Sequence, residues 1–156
     1  MITSITTRRT VLHIALAGLV VPVATMVPRR AQADALSNVD VWKDASCGCC
    51  EGWVRHMRDA GFNVSVHNTS DMAAIKQARS VPIALQSCHT AVVGGYVVEG
   101  HVPASDIKRL IAEHPSAAGL AVPGMPQSAP GMDQPGEPYT VLLFGAPNGV
   151  KVYAQH

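Results

Sequence analysis

Val39-Asp40-Val41-Trp42-Lys43-Asp44, followed two residues later by Cys47-Gly48-Cys49-Cys50 and then by Trp53, Val54 and Met57, decides how the rest of the chain is read. The first six residues alternate as a half-buried strand does. Cys50, Trp53, Val54 and Met57 recur at the i, i+3, i+4, i+7 spacing of one helix face. The cysteines therefore stand at a strand-to-helix turn. There the unpaired N–H groups and the positive end of the helix dipole favour thiolate over thiol, most of all at Cys47. A thiolate attacks disulfides and binds soft metals, so the turn reads as chemically active.

Three readings of the cluster compete. In an exported protein paired cysteines are commonly a structural disulfide. A staple gains by closing a long loop, however, and a bond within this tetrapeptide closes almost none. Cys47 and Cys50 have the C-x-x-C spacing of a redox pair, and they are the catalytic residues if the pair turns over. Cys49 adds a third thiol that a simple oxidoreductase does not need. Three crowded thiols suit a metal better.

Export is read from the N-terminus. Arg8-Arg9 within Thr7-Arg8-Arg9-Thr10-Val11-Leu12 is a twin-arginine pattern, Ile14 to Val23 is apolar, and Ala31-Gln32-Ala33 is a small-residue cleavage site. Residues 1–33 are expected to be a signal peptide, and the mature chain is expected to begin at Asp34. The apolar run falls short of the ~20 residues that span a bilayer and is interrupted by Pro22, which argues against an anchor. Residues 34–156 then form one small domain, with no membrane span after processing. Removing Arg8, Arg9, Arg29 and Arg30 leaves eight basic residues against eleven acidic ones, which gives no basic face for nucleic acid. All four cysteines stay in the mature chain, in an oxidising, periplasmic compartment where free thiols need a reason.

Downstream, Gly61 stops the helix, and Phe62-Asn63-Val64-Ser65-Val66-His67 alternates as a second strand. Ser70 or Asp71 caps a short second helix that ends at Val81-Pro82. Thr90-Ala91-Val92-Val93, Gly94-Gly95 and Tyr96-Val97-Val98-Glu99 read as a hairpin, and Pro103 opens a third helix that runs to about Glu113. The order β-α-β-α-β-β-α, with C-x-x-C at the first strand-to-helix turn, is the thioredoxin-like arrangement of the α/β class. It would carry Cys88 and His89, just before the third strand, to the N-terminus of the first helix. Each has a structural alternative: Cys88 as a small buried hydrophobe, His89 as a hydrogen-bonded core group. His101 stands at the hairpin's end beside Gly100 and is a further candidate ligand. His56, His67, His114 and His156 are weaker candidates, the last two expected to be solvated.

From Pro115 to Pro138 the composition turns to Pro, Gly, Ser and Ala and reads as a loop or wrapping arm. It contains Pro123-Gly124-Met125 and Pro130-Gly131-Met132. Helix periodicity does not explain these methionines. A thioether is a soft ligand suited to copper(I), and a plug for apolar gaps is the alternative. Residues 139–155 read as a C-terminal β-hairpin turning at Asn148-Gly149, which either extends the sheet or covers the arm.

Cys47-Gly48-Cys49-Cys50 with Trp53, Ser87-Cys88-His89-Thr90-Ala91-Val92-Val93, Gly95 to Pro103, Gly119 to Pro126 and Pro130-Gly131-Met132 together resemble the exported copper-resistance proteins of the CopG type, the DUF411 family. Gln127-Ser128-Ala129 departs from the apolar residue, Gly and Ser usual in that family. The resemblance covers essentially the whole mature chain. It implies a thioredoxin-like domain that binds copper through cysteines, with a redox role in copper handling. The expected ligand set is Cys47, Cys49, Cys50, Cys88, His89, His101, Met125 and Met132. It would hold one copper(I) ion or several, and other periplasmic copper-handling proteins would be its partners. A zinc-stabilised interaction domain and a metal-free thiol-disulfide oxidoreductase remain the alternatives, since four sulfurs also make a closed zinc site.

Overall fold

The computed structural model describes residues 38–156; the signal-peptide reading of residues 1–33 and the expected start at Asp34 lie outside the described residues. Strand β1 (Asn38–Lys43) leads into helix α1 (Gly48–Asp59), strand β2 (Asn63–Asn68) and helix α2 (Met72–Ala78). A 3₁₀ turn (Ile83–Leu85) precedes the hairpin β3 (Thr90–Val93) and β4 (Tyr96–Glu99), and helix α3 (Ala104–Glu113) follows. Strands β5 (Gly119–Ala121), β6 (Thr140–Ala146) and β7 (Gly149–Gln155) complete the chain. Among the described residues the strands form one seven-stranded sheet in the order β2-β1-β3-β4-β5-β6-β7.

The thioredoxin-like arrangement is present. β1 and β2 are parallel across α1, β3 is antiparallel to β1, and β4 is antiparallel to β3. Local signals account for these elements. Asp71 accepts from the Ala74 N–H at 2.9 Å as the N-cap of α2. Past Ala60, Gly61 turns the chain out of α1 at φ +94°, and the Phe62 N–H closes back on Met57 O. Gly94 and Gly95 take positive φ at both central positions of the hairpin turn, which suits the right-handed strand twist.

Alternation along the strands sends side chains to two faces. On one face Trp53, Val54 and Met57 of α1 and Ile107, Leu110 and Ile111 of α3 pack against Val39, Val41, Ala91, Val98, Leu120 and Val141. On the other, Leu85, Ala121 and Phe144 form a smaller cluster with Val97 and Leu142.

One expectation needs correction. Residues 115–138 are not wholly a loop, because Gly119–Ala121 pairs in parallel with Val97–Glu99 and in antiparallel with Leu142–Phe144. Three residues are too few to show a period, so this strand exists only through its neighbours. His156 is exposed, as expected, although its Nε2 lies 2.7 Å from Asp106 Oδ2 and its ring stacks on Tyr139. The C-terminal hairpin extends the sheet, β6 pairing with both β5 and β7.

Candidate metal centre

The turn after β1 sets the cysteines. The Cys47 N–H donates to Asp44 O at 3.1 Å, and Cys47 is the extended N-cap residue of α1. Lys43, the last residue of β1, is fully buried; its Nζ donates to the same Asp44 carbonyl at 2.9 Å and meets Glu51 Oε1, in the first turn of α1, at 2.9 Å. This clasp spans the cysteine turn from strand to helix. Cys47 and Cys50 are joined by a disulfide, while Cys49 and Cys88 are free thiols. Cys49 Sγ lies 3.5 Å from Cys47 Sγ.

The fold brings Cys88 to this turn, as the order of elements implied. The four sulfurs lie within 4.8 Å of one another, and Cys88, His89 and His101 form a second group within the same limit, so Cys88 belongs to both. Cys88 Sγ is 3.1 Å from His101 Nε2 and 3.3 Å from His89 Nδ1. Pro130 O can only accept, so His101 Nδ1–H donates to it at 2.8 Å and Nε2 keeps its lone pair toward the Cys88 S–H.

Both imidazoles are fully buried, and burial holds each below the ordinary histidine range; for His89 the positive charges of Lys76 and Lys43 add to this. Neutral rings result, which is the form that ligates. His89 Nε2 is buried without a hydrogen-bond partner while the ring packs 4.5 Å from Trp53 and 5.0 Å from His101, centroid to centroid. Buried polar atoms are normally partnered, so Nε2 stands out as the ring nitrogen of His89 left without one. Burial, with Cys49 beside it, pushes the Cys88 thiol up to about 12, so without metal it keeps its proton at neutral pH.

The arm closes over the centre through both Pro-Gly-Met turns. Ser87 Oγ donates to Gly124 O, and Gly124 N–H reaches Gln86 O, which ties the first turn to the residues before Cys88. The second lies on α1. A Cβ on Gly131 would stand 2.3 Å from Trp53 N and 2.9 Å from Cys49 O, and its φ is +87°, so this contact requires glycine. The two methionines are not equivalent: Met132 is half-buried and Met125 is 54 % exposed. The weaker histidines stay outside both groups; His56 Nε2 accepts the Ala104 N–H at 3.0 Å, and His67 pairs with Asp40.

Sequence reading missed the buried charges beside the centre, Lys43, Lys76 and Glu99. One signal was available. With Gly94-Gly95 as a two-residue turn, the register sets Thr90 opposite Glu99, a polar pair in an otherwise apolar hairpin.

The family model described as "Protein of unknown function, DUF411" matches residues 85–132. Two solved structures of copper resistance protein CopG, Form 2 and Form 1, are similar to the chain with TM-scores of 0.72 and 0.71. Each is 43 % identical to it, and the alignments cover 76 % of this chain and 97 % and 96 % of those chains. No curated protein matches.

Proposed function

The chain belongs to the CopG copper-resistance family, which carries the DUF411 signature, and from that membership we propose that it is an exported copper-handling protein holding copper(I) in its cysteine cluster. Cys47, Cys49, Cys50 and Cys88 are its sulfur ligands, His89 and His101 its imidazoles, and the half-buried Met132 and the exposed Met125 its candidate thioethers. The observation that carries this reading is the packing of four sulfurs within 4.8 Å, one of them shared with two buried imidazoles. Soft donors in so compact a group suit copper(I), and bridging thiolates allow more than one ion. His89 turns Nδ1 toward Cys88 at 3.3 Å, the ring nitrogen suited to share a metal with that sulfur.

The Cys47–Cys50 bond divides the donors. Bonded, it withdraws two of the four sulfurs and leaves Cys49 and Cys88 as thiols. Reduced, it returns both. Oxidation of the reduced Cys47 and Cys50 thiols would supply two electrons: with copper(II) as the oxidant, two ions would accept one each, two thiol protons would leave, and the S–S bond would form with two copper(I) ions as the other product. In such a step Cys47 and Cys50 are the catalytic pair. The same bond at the N-terminus of α1 favours, as a second reading, a thiol-disulfide oxidoreductase that needs no metal.

Export rests on Arg8-Arg9, the apolar run and Ala31-Gln32-Ala33. Among the described residues no helix is long and apolar enough to cross a membrane. Other exported copper-handling proteins are the partners that would deliver or accept the metal.

Metal analysis of reduced mature protein offered copper(I) and zinc together tests the assignment, alongside Cys50→Ser. Copper should be retained against a competing chelator by the parent and lost by the variant, because serine offers a hard neutral oxygen in place of a soft thiolate. Zinc retained in preference, or disulfide turnover by metal-free protein that holds no copper, would replace the reading with one of its rivals.

A further inference from the structure

Behind the sulfur and imidazole groups lies a buried ion pair that supplies no ligand. Glu99, at the end of β4, is fully buried, and Lys76 on α2 is 5 % exposed. Glu99 Oε1 accepts from Lys76 Nζ at 2.5 Å and from the Ser87 N–H at 2.7 Å. Glu99 Oε2 accepts from Thr90 Oγ1 at 2.6 Å, and Thr90 Oγ1 in turn accepts from Lys76 Nζ at 3.1 Å. Lys76 Nζ and both Glu99 oxygens each have a partner, yet stability does not explain the arrangement. Taking two charges out of water is costly, and apolar residues of similar volume in place of a buried pair are often neutral or stabilising.

The partners show what the pair holds. Ser87 immediately precedes Cys88, Thr90 immediately follows His89, and Glu99 stands two residues before His101. One carboxylate therefore grips the backbone before Cys88 and the side chain after His89, from the strand that leads to His101. The Gly100 N–H donates to His89 O at 3.0 Å and completes the tie between these segments. Gly100, at φ +71°, has no side chain; a Cβ there would lie 2.5 Å from Ser87 Oγ and 2.7 Å from Val122 O.

We propose that Glu99 and Lys76 are positioning residues that fix Cys88, His89 and His101 in one arrangement before any metal arrives. They act through the ligands and touch no metal. Outer partners of this kind typically govern affinity by roughly 10–100-fold. The affinity consequence rests on the proposed copper site, whereas the positioning itself is visible in metal-free protein.

The test uses the mature chain with Glu99→Leu combined with Lys76→Met. Leucine fills much of the same volume but offers no acceptor to the Ser87 N–H or to Thr90 Oγ1, so the grip itself is removed, and taking away both charges avoids stranding one. Histidine side-chain NMR signals of metal-free protein, its thermal melt, and copper(I) affinity by chelator competition are measured on parent and variant. The expected result is a melt close to the parent's, His89 and His101 signals that split or broaden while those of His67 and His114 do not, and copper(I) affinity lower by roughly 10–100-fold. Unchanged His89 and His101 signals would overturn the proposal. So would a melt lowered enough to account for the copper loss, which would make the pair structural. A parent that binds no copper would remove the affinity arm and the copper reading with it, while the metal-free histidine signals still decide positioning.

Discussion

Adding one methyl group to α1, at Gly52, tests whether the methionine-bearing arm is seated on the cysteine helix. By helix propensity Gly→Ala should stabilise a helix interior by ~1 kcal/mol. At Gly52, however, the new Cβ would stand 2.5 Å from Gly131 O, 2.7 Å from Gly131 Cα and 3.0 Å from Gly131 C. A comfortable carbon-to-oxygen approach is about 3.3 Å, so the arm must retreat by nearly an ångström. All three atoms belong to the backbone and cannot rotate aside. Overpacking of this kind costs ~1–3 kcal/mol, and lifting Pro130 O from His101 Nδ1–H forfeits a further ~1 kcal/mol. The net expectation is a loss of ~1–3 kcal/mol, or about 4–12 °C in melting temperature for a chain of this size. Gly48 supplies the control. It lies one turn earlier in the same helix with nothing within 4 Å of its Cβ, so Gly48→Ala should leave the melt unchanged or raise it. Thermal melts of metal-free protein and chelator competition for copper(I) read both variants. If Gly52→Ala raises the melt as Gly48→Ala does and copper binding is untouched, the arm does not rest on the helix and the closed centre described above is wrong.

Three other outcomes are expected. Copper(I) affinity of reduced protein should climb about tenfold per pH unit for each thiol proton displaced, and Cys88→Ser should lower that slope by about one proton, since Cys88, pushed up to about 12, holds its proton until metal arrives; equal slopes would remove Cys88 from the ligand set. Met132→Leu should weaken copper binding more than Met125→Leu, with metal-free melts within ~1.5 kcal/mol of the parent, because Met132 is half-buried beside Gly131 whereas Met125 is exposed; the reverse order would move the thioether ligand to the outer turn. Burial, against the weaker pull of Asp133 and Asp59, holds His56 below the ordinary range, and its Nε2 accepts the Ala104 N–H. Its contribution to stability is therefore present above ~6.5, where the unfolded histidine loses its proton, and is lost as pH falls from there toward the folded value. Melts between pH 7.5 and 5.5 should fall in the parent and fall less steeply in His56→Gln, and parallel curves would contradict this.

The elements that carry the cysteines were legible because their signals are local. Alternation over Val39–Lys43, a helix face beginning at Cys50, Asp71 as a cap and Gly94-Gly95 as a turn each fall within a few residues, and their order gave the thioredoxin-like arrangement. From that order Cys88 could be carried to Cys47 without coordinates, since a strand's place in such a sheet follows from its connections. Tertiary contact decided what has no local period. Gly119–Ala121 is a strand because Val97 and Phe144 flank it: a Cβ on Gly119 would stand 1.7 Å from Val97 O, a fit that only a bare backbone permits. Pro130-Gly131-Met132 could be recognised as a motif, but its seat on α1 depends on Gly52 meeting Gly131, two glycines far apart in the chain whose pairing leaves no spacing rule. Lys43, Lys76 and Glu99 belong to residue types that stay in water unless partners join them inside. Those partners, Glu51, Thr90 and the Ser87 N–H, converge only when α1, α2, β3 and β4 have packed, so the charges around the metal centre are a property of the assembled sheet.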